Sequence, residues 1–273
     1  MVNWWAAGAS GFDIYGTNNI TPKGNLVYTN GEVGTAFRLD GQTTCLPIAG
    51  GTEISPNWTL CMWYFHQRSR NPSVCILGDQ TYAIKVEQWS NTDEVGISQS
   101  GVADYLFSPA YTIPINVWTH LSFVANSSTV TLYTNGVMEG TVSASSFKLP
   151  RSYVGADMFS AVSGVFSDFS LGGLDEIQIF TNALSASQIL SIYNAGHAGL
   201  VRAPQFTAIT NVTGSQVQLN LIGQTGKSIN LLSSTDLLNW STLGTVSNPT
   251  GATNYTDSAT ASPQKFYQAT QKY

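Results

Sequence analysis

Short runs in which apolar and polar residues alternate dominate the chain. Trp58–Phe65 (WTLCMWYF) and Val117–Val124 (VWTHLSFV) are rich in β-branched and aromatic residues, the composition of strands that pack on a core. Residues 128–138 read STVTLYTNGVM, and Asn135-Gly136 marks a two-residue hairpin turn inside that run. Gln216–Ile222 (QVQLNLI) alternates without a fault, Val217, Leu219 and Leu221 on one side and Gln216, Gln218 and Asn220 on the other. Further strands are expected over residues 228–234, 240–246, 254–257 and 265–270. Regular short strands punctuated by Gly, Pro and Asn predict sandwiches of antiparallel sheets.

One segment departs from this rhythm, Gly172–Gly196, GGLDEIQIFTNALSASQILSIYNAG. Ser185 and Gln188 have capping-box spacing, and Leu184 and Ile189 fall at the positions of a hydrophobic staple. Ile189, Ile192 and Tyr193, with Leu190 beside them, form an apolar stripe at helical spacing, and Gly196 supplies a stop. A helix of two to three turns cannot hold alone, so it must dock on something larger. Read by simple alternation, the strand before it points Asp175, Ile177 and Ile179 one way and Glu176, Gln178 and Phe180 the other. A carboxylate in line with two isoleucines needs a partner.

After Gly196 the character changes. HAGLVRAPQF reads as a linker around Ala203, and the residues beyond it hold strand signals without a helix. Two domains are therefore expected, residues 1–200 and 201–273, the second a small immunoglobulin- or fibronectin-like β-sandwich.

Composition narrows the class. Only 10% of residues are charged, against about 25% in a typical domain, so solubility rests on Ser, Thr, Asn, Gln and Gly. That profile suits a secreted β-protein. The net charge is a mild −5, and no basic cluster exceeds His66-Gln-Arg-Ser-Arg, which argues against nucleic acid as a partner. No signal peptide or long apolar segment is visible, which argues against membrane insertion; Met1 reads as a start added to an excised fragment. Cys45, Cys61 and Cys75 are an odd set: Cys61 and Cys75 flank one loop and read either as a bridge between neighbouring strands or, with Cys45, as buried small hydrophobes.

Four segments carry a family resemblance. They are NWWAAGASGFDIYGTNN at the start, GEVGTAFRLDG at Gly31–Gly41, VWTHLSFV with TLYTNGV in the middle, and the closing GGLDEIQIFTNALSASQILSIYNAG. In order and spacing they resemble the laminin-G-like, concanavalin A-like lectin/glucanase superfamily, in particular its members in large secreted bacterial proteins. The resemblance implies an all-β, concanavalin A-like antiparallel β-sandwich (jelly roll) with one short helix at its C-terminal end. There the closing strand returns beside the first, and the helix packs across the sandwich. It also implies one structural calcium ion near that junction, with Asp13, Asn18 and Asp175 as oxygen ligands. The alternative is that Asp13 caps its own turn while Asp175 accepts backbone amides.

The same fold hosts glycoside hydrolases, which place two carboxylates on one strand in an ExDxxE pattern. No such pattern occurs here. Asp93 and Glu94 are adjacent, as are Asp175 and Glu176; the three histidines are isolated, and no GxSxG elbow accompanies them. Catalysis is not expected. Binding of a polysaccharide or other glycan, through aromatic faces and polar side chains, is the leading reading. Trp89, Tyr105, Tyr111 and Phe159 lie in loop-like stretches and are the candidate sugar contacts, each weighed against ordinary packing. Trp4, Trp5, Trp63 and Trp118 are assigned to the core. The competing readings are an adhesion module for an extracellular protein or a structural spacer.

Overall fold

The structure, a computed structural model, describes residues 1–7, 11–67, 73–88, 92–144, 146–158, 165–196, 204–212, 216–223, 227–258 and 264–272. The chain divides into two compact units, Met1–Gly199 and Leu200–Tyr273.

The described strands of the first unit begin with β1 (Asn3–Trp5), β2 (Val27–Asn30), β3 (Thr35–Asp40), β4 (Leu46–Pro47) and β5 (Trp58–His66). Then come β6 (Val74–Gly78), β7 (Tyr82–Glu87), β8 (Gly96–Gln99), β9 (Ala103–Leu106) and β10 (Trp118–Asn126). The last are β11 (Thr129–Thr134), β12 (Val137–Ser143), β13 (Tyr153–Val154) and β14 (Leu171–Phe180), before helix α1 (Ala186–Ala195). They build an eight-stranded sheet in the order β12-β11-β10-β5-β14-β3-β2, with β1 also on β14, and a six-stranded sheet in the order β4-β13-β6-β7-β8-β9. All pairings are antiparallel. Trp5, Phe37, Trp58, Leu60, Met62, Ile84, Ile97, Phe123, Leu174 and Ile177 belong to one shared core between the sheets. This is the all-β sandwich the sequence patterning predicts.

Local signals act as read. Asn135 and Gly136 both take positive φ (50° and 81°), the geometry a two-residue hairpin turn requires. The Ser185 hydroxyl accepts from the Gln188 amide while the Gln188 side chain accepts from the Ser185 amide, completing the capping box. The helix docks on the outer face of the larger sheet, where fully buried Ile189 meets Leu184, Phe180, Cys61 and Val124. Burying that isoleucine contributes roughly 1.5–3 kcal/mol. Among the described residues no helix is long and apolar enough to cross a membrane.

Three readings are corrected. First, β14 does not alternate simply, because its register against β5 shifts between Asp175 and Gln178 and Glu176 sits at φ 50°. Leu174 and Ile177 both enter the core, so the two carboxylates occupy the bulge between them. Asp175 pairs in register with Trp63 and shares its face, away from the isoleucines. Second, Trp118 is half-buried on the outer face against Gly173 and Phe65 and does not enter the core. Third, Cys61 lies in the larger sheet and Cys75 in the smaller, so no bridge joins them; all three thiols are free and buried.

The second unit contains β15 (Gln205–Val212), β16 (Gln216–Ile222), β17 (Lys227–Ser234), β18 (Ser241–Asn248), β19 (Ala252–Ser258) and β20 (Phe266–Lys272). They form two three-stranded antiparallel sheets, β15-β16-β19 and β18-β17-β20, around Leu219, Leu221, Ile229 and Leu231.

The bulge in β14 buries two acids side by side. Asp175 accepts from the amides of Val33 and Glu176, each at 2.8 Å, and a Cβ on Gly31 would collide with its Oδ2. Glu176 accepts from Trp4 Nε1 at 2.7 Å. Burial pushes Asp175 up to about 7 and, with the Asp175 charge added, Glu176 up to about 8. Both folded values exceed the ordinary unfolded ones of roughly 4, so the folded chain holds more protons. This contribution to stability is complete below about pH 4 and is lost as pH rises towards 8. Glu176→Gln should therefore gain stability relative to the parent as pH climbs from 5 to 9, by on the order of 3 kcal/mol in denaturant titrations. Parallel pH curves for the two proteins would show that Glu176 does not carry this proton.

Candidate functional site

By strand alternation β7 turns Tyr82, Ile84 and Val86 into the core and Lys85 and Glu87 to the opposite face of the smaller sheet. That face is covered by chain from either side of residues 159–164. The Gly155 amide donates to Ile76 O and the Cys75 amide to Asp168 O, while Asp157 and Ser167 form an antiparallel bridge. The cover brings two carboxylates down onto Lys85. Its Nζ stands 2.5 Å from Asp168 Oδ2 and 3.4 Å from Asp157 Oδ2, and donates to Ser73 Oγ at 2.9 Å. Asp157 Oδ1 accepts from Ser167 Oγ at 2.6 Å. Asp168 holds φ 53°, which costs a non-glycine residue about 1 kcal/mol and is fixed by the bond from Cys75.

The electrostatics follow from depth. Burial raises Asp157, the neighbouring Asp168 charge raises it further, and Lys85 pulls it back. Burial alone would lower Lys85, but the two carboxylates outweigh that and hold it above its ordinary value as an ammonium. Burial and the Asp157 charge push the Cys75 thiol well up, so it is no thiolate.

A cavity of about 430 Å³ opens beside this network, lined by Lys85, Ser98, Gln99, Asp104, Ser167 and Asp168 among others. Ser98 and Asp104 are cross-strand partners on β8 and β9 and so share one face of the sheet. A second cavity of about 650 Å³ lies against Glu53, Asp79, Thr81 and Tyr153. There Asp79 Oδ1 caps its own turn through the Thr81 and Tyr82 amides, and Glu53 is paired with Lys148 at 2.9 Å. The first cavity has the more fully fixed wall, because Lys85 and Asp104 stand on sheet strands and Lys85 locks Asp168 against them.

Of the candidate sugar contacts, Trp89 and Phe159 lie outside the described residues. Tyr105 and Tyr111 pack partly buried against the sandwich core and line neither cavity. Tyr105 is the register partner of core residue Ile97, and it is its neighbour Asp104 that reaches the cavity. No sequence pattern marks Lys85, Asp157 or Asp168. Lys85 in YAIKVE looks like a solvent-face residue of an alternating strand, and only pairing with chain more than 70 residues away buries it. His120 is a packed strand histidine against Trp63, driven down to about 4 by burial.

The calcium set can be tested against its own donors. Asp13 accepts from the Asn3 side chain and from the amides of Trp4, Tyr15, Gly16 and Asn18, so N–H groups crowd both its oxygens. Asn18 Oδ1 accepts from Asn3 Nδ2 and from the Arg151 guanidinium at 2.7 Å. Asp175 is held by a different segment, through Val33. Among the described residues no three His, Cys, Asp or Glu side chains converge as a metal requires. Donors and a guanidinium are the surroundings of an anion, and this set does not fit a calcium ion.

Two carboxylates do stand together at Lys85, which invites the hydrolase reading. Glycoside hydrolysis needs both to reach the sugar on opposite sides of the scissile bond. Asp157 is 0% exposed and lies against the ammonium it shares with Asp168. It cannot touch a substrate from there. Glu87 is likewise spent, its carboxylate accepting the Thr92 and Asp93 amides.

A family model described as the concanavalin A-like lectin/glucanases superfamily matches residues 40–190, more than half of the chain. No curated protein matches. Among solved structures, the chain is similar to domain 4 of AbnA, a GH43 extracellular arabinanase from Geobacillus stearothermophilus, in complex with arabinotriose. That likeness has a TM-score of 0.56 at 20% identity, covering 70% of this chain and 96% of the other. It is also similar to the binding domain of botulinum neurotoxin DC in complex with SialylT (TM-score 0.51, 12% identity, 84% of this chain and 65% of that one). A third likeness is to botulinum neurotoxin type C, whose cell entry depends on interaction with two ganglioside molecules (TM-score 0.51, 12% identity, 85% and 64%). At these identities the likeness is one of fold.

The lysine network and the Asn18–Arg151 contact can each be tested by stability. Lys85→Met strands two carboxyl groups in a buried place and should cost about 3–5 kcal/mol in urea titrations. Adding Asp168→Asn should return part of that loss, and a purely additive double variant would contradict the network. Chelation should leave the melting temperature within a degree, whereas Arg151→Met should lower it by several. A large drop with chelator would restore the ion.

Proposed function

The chain belongs to the concanavalin A-like lectin/glucanases superfamily, and from that premise we propose that it is a non-catalytic carbohydrate-binding module of a larger extracellular protein. The ligand site is the cavity over β7, β8 and β9. The observation that carries the reading is the wall of that cavity, where the Asp104 carboxylate, the Gln99 amide and the Ser98 hydroxyl stand on a sheet and the Asp168 carboxylate is locked over them by a buried ammonium. Sugars present hydroxyl groups at fixed angles, so affinity depends on acceptors that are already in place before binding. The volume lies within the range of small-ligand sites. That the arabinanase domain was seen with arabinotriose and the toxin domain with SialylT makes glycans the first ligands to try.

The absence of catalysis in this reading rests on the burial of Asp157 and the shared ammonium. The small second sandwich is read as a spacer or attachment unit, and extracellular placement accords with the low share of charged residues.

The test is a glycan and polysaccharide screen on the 273-residue chain, with calorimetry and a reducing-sugar assay on each hit. Binding at micromolar to millimolar Kd, weakened at least tenfold by Asp104→Asn and without sugar release, is the expected result. No binding across neutral, acidic and amino-sugar panels would remove the carbohydrate reading in favour of a protein partner.

A further inference from the structure

We infer that this cavity selects neutral glycans and turns away acidic ones, an inference that rests on the carbohydrate reading of the same site. A lysine in a ligand cavity ordinarily suggests an anion site. Lys85 is different because its charge is already claimed: its ammonium donates hydrogen bonds to Asp168 and Ser73 and is ion-paired with a second carboxylate. Asp168 Oδ2 stands at 2.5 Å, Ser73 Oγ at 2.9 Å and Asp157 Oδ2 at 3.4 Å. Its side chain is only 6% exposed and its charge is paired twice, so no open approach to the ammonium is left for a ligand carboxylate.

The charged groups still open to a ligand have the opposite sign. Asp104 is exposed and Asp168 is 18% exposed, both line the cavity, and neither can donate a hydrogen bond when ionised. The lining thus carries two carboxylates against one ammonium that is already neutralised, with Asp157 as a third acid beneath. The Ser98 hydroxyl donates to Gln88 Oε1 at 3.0 Å, so that donor too is engaged. A sialic or uronic acid would bring its carboxylate against like charge with no cation to receive it. A neutral sugar meets the reverse situation, since adjacent hydroxyl groups donate to a carboxylate as charge-assisted hydrogen bonds. Discrimination then comes from repulsion of the wrong ligand as much as from attraction of the right one.

The experiment compares neutral oligosaccharides, arabino- and gluco-configured, with sialyllactose and oligouronates of matched length, by calorimetry on the full chain at low and high salt. Neutral ligands should bind at least tenfold more tightly than acidic ones, and added salt should narrow the gap. Asp104→Asn, at an exposed position, should weaken neutral binding and lift the acidic ligands at least threefold. Asp168→Asn, checked by its melting curve, should admit acidic ligands further by releasing part of the Lys85 charge. Acidic glycans binding the parent protein as tightly as neutral ones would overturn the inference while leaving a carbohydrate module in place. So would a neutral preference untouched by either substitution, since the discrimination would then lie elsewhere. Silence from every glycan would instead end the carbohydrate reading, and the inference with it.

Discussion

An ammonium group taken out of water must find acceptors for its protons, and Lys85 imposes that requirement on one face of the smaller sheet. A lone buried lysine would lose its proton or pull the strand apart. Here the chain from residue 155 to 158 and from 165 to 170 folds over the sheet and delivers two carboxylates to it. The backbone of Asp168 is tied to Cys75, its side chain to Lys85, and Ser167 holds Asp157. The covering side of the cavity wall, Ser167 and Asp168, is therefore a by-product of satisfying one charge. Its rigidity needs no separate device, because loosening any member leaves another buried and unpaired.

The larger sheet settles its own buried acids differently. Amides and the Trp4 indole, rather than a lysine, face Asp175 and Glu176. Burial then drives them towards the protonated form, whereas Asp157 and Asp168 share a fixed positive charge. One pair is stabilised by protons from solvent and responds to pH. The other carries its counter-charge with it, although burial and Asp168 still raise Asp157.

What the sequence discloses and what it conceals divide along range of interaction. The Ser185–Gln188 capping box, the Asn135-Gly136 turn and the alternation of Val217, Leu219 and Leu221 depend on neighbours a few residues apart, and each is found where the pattern puts it. The bulge at Asp175 and Glu176 escapes the alternation rule because a register shift is decided by the partner strands on either side. Tyr105 illustrates the cost of one position: its polar neighbour Asp104 faces the cavity while the aromatic ring turns to the core. Lys85 is the extreme case. Its carboxylate partners lie 72 and 83 residues along the chain, and no local pattern distinguishes it from any solvent-facing lysine.

The same pairing supports the non-catalytic reading proposed for this chain. A general acid must hold its proton at neutral pH and also reach the glycosidic oxygen. Asp157 meets the first condition in part, since burial and Asp168 raise it, but its burial defeats the second. Asp168 has the access that Asp157 lacks, yet it spends its charge on the ammonium 2.5 Å away. Making either residue catalytic would require removing Lys85, which would remove the counter-charge that lets the two acids lie together. Chemistry and architecture therefore compete for the same two side chains, and in this chain the architecture holds them.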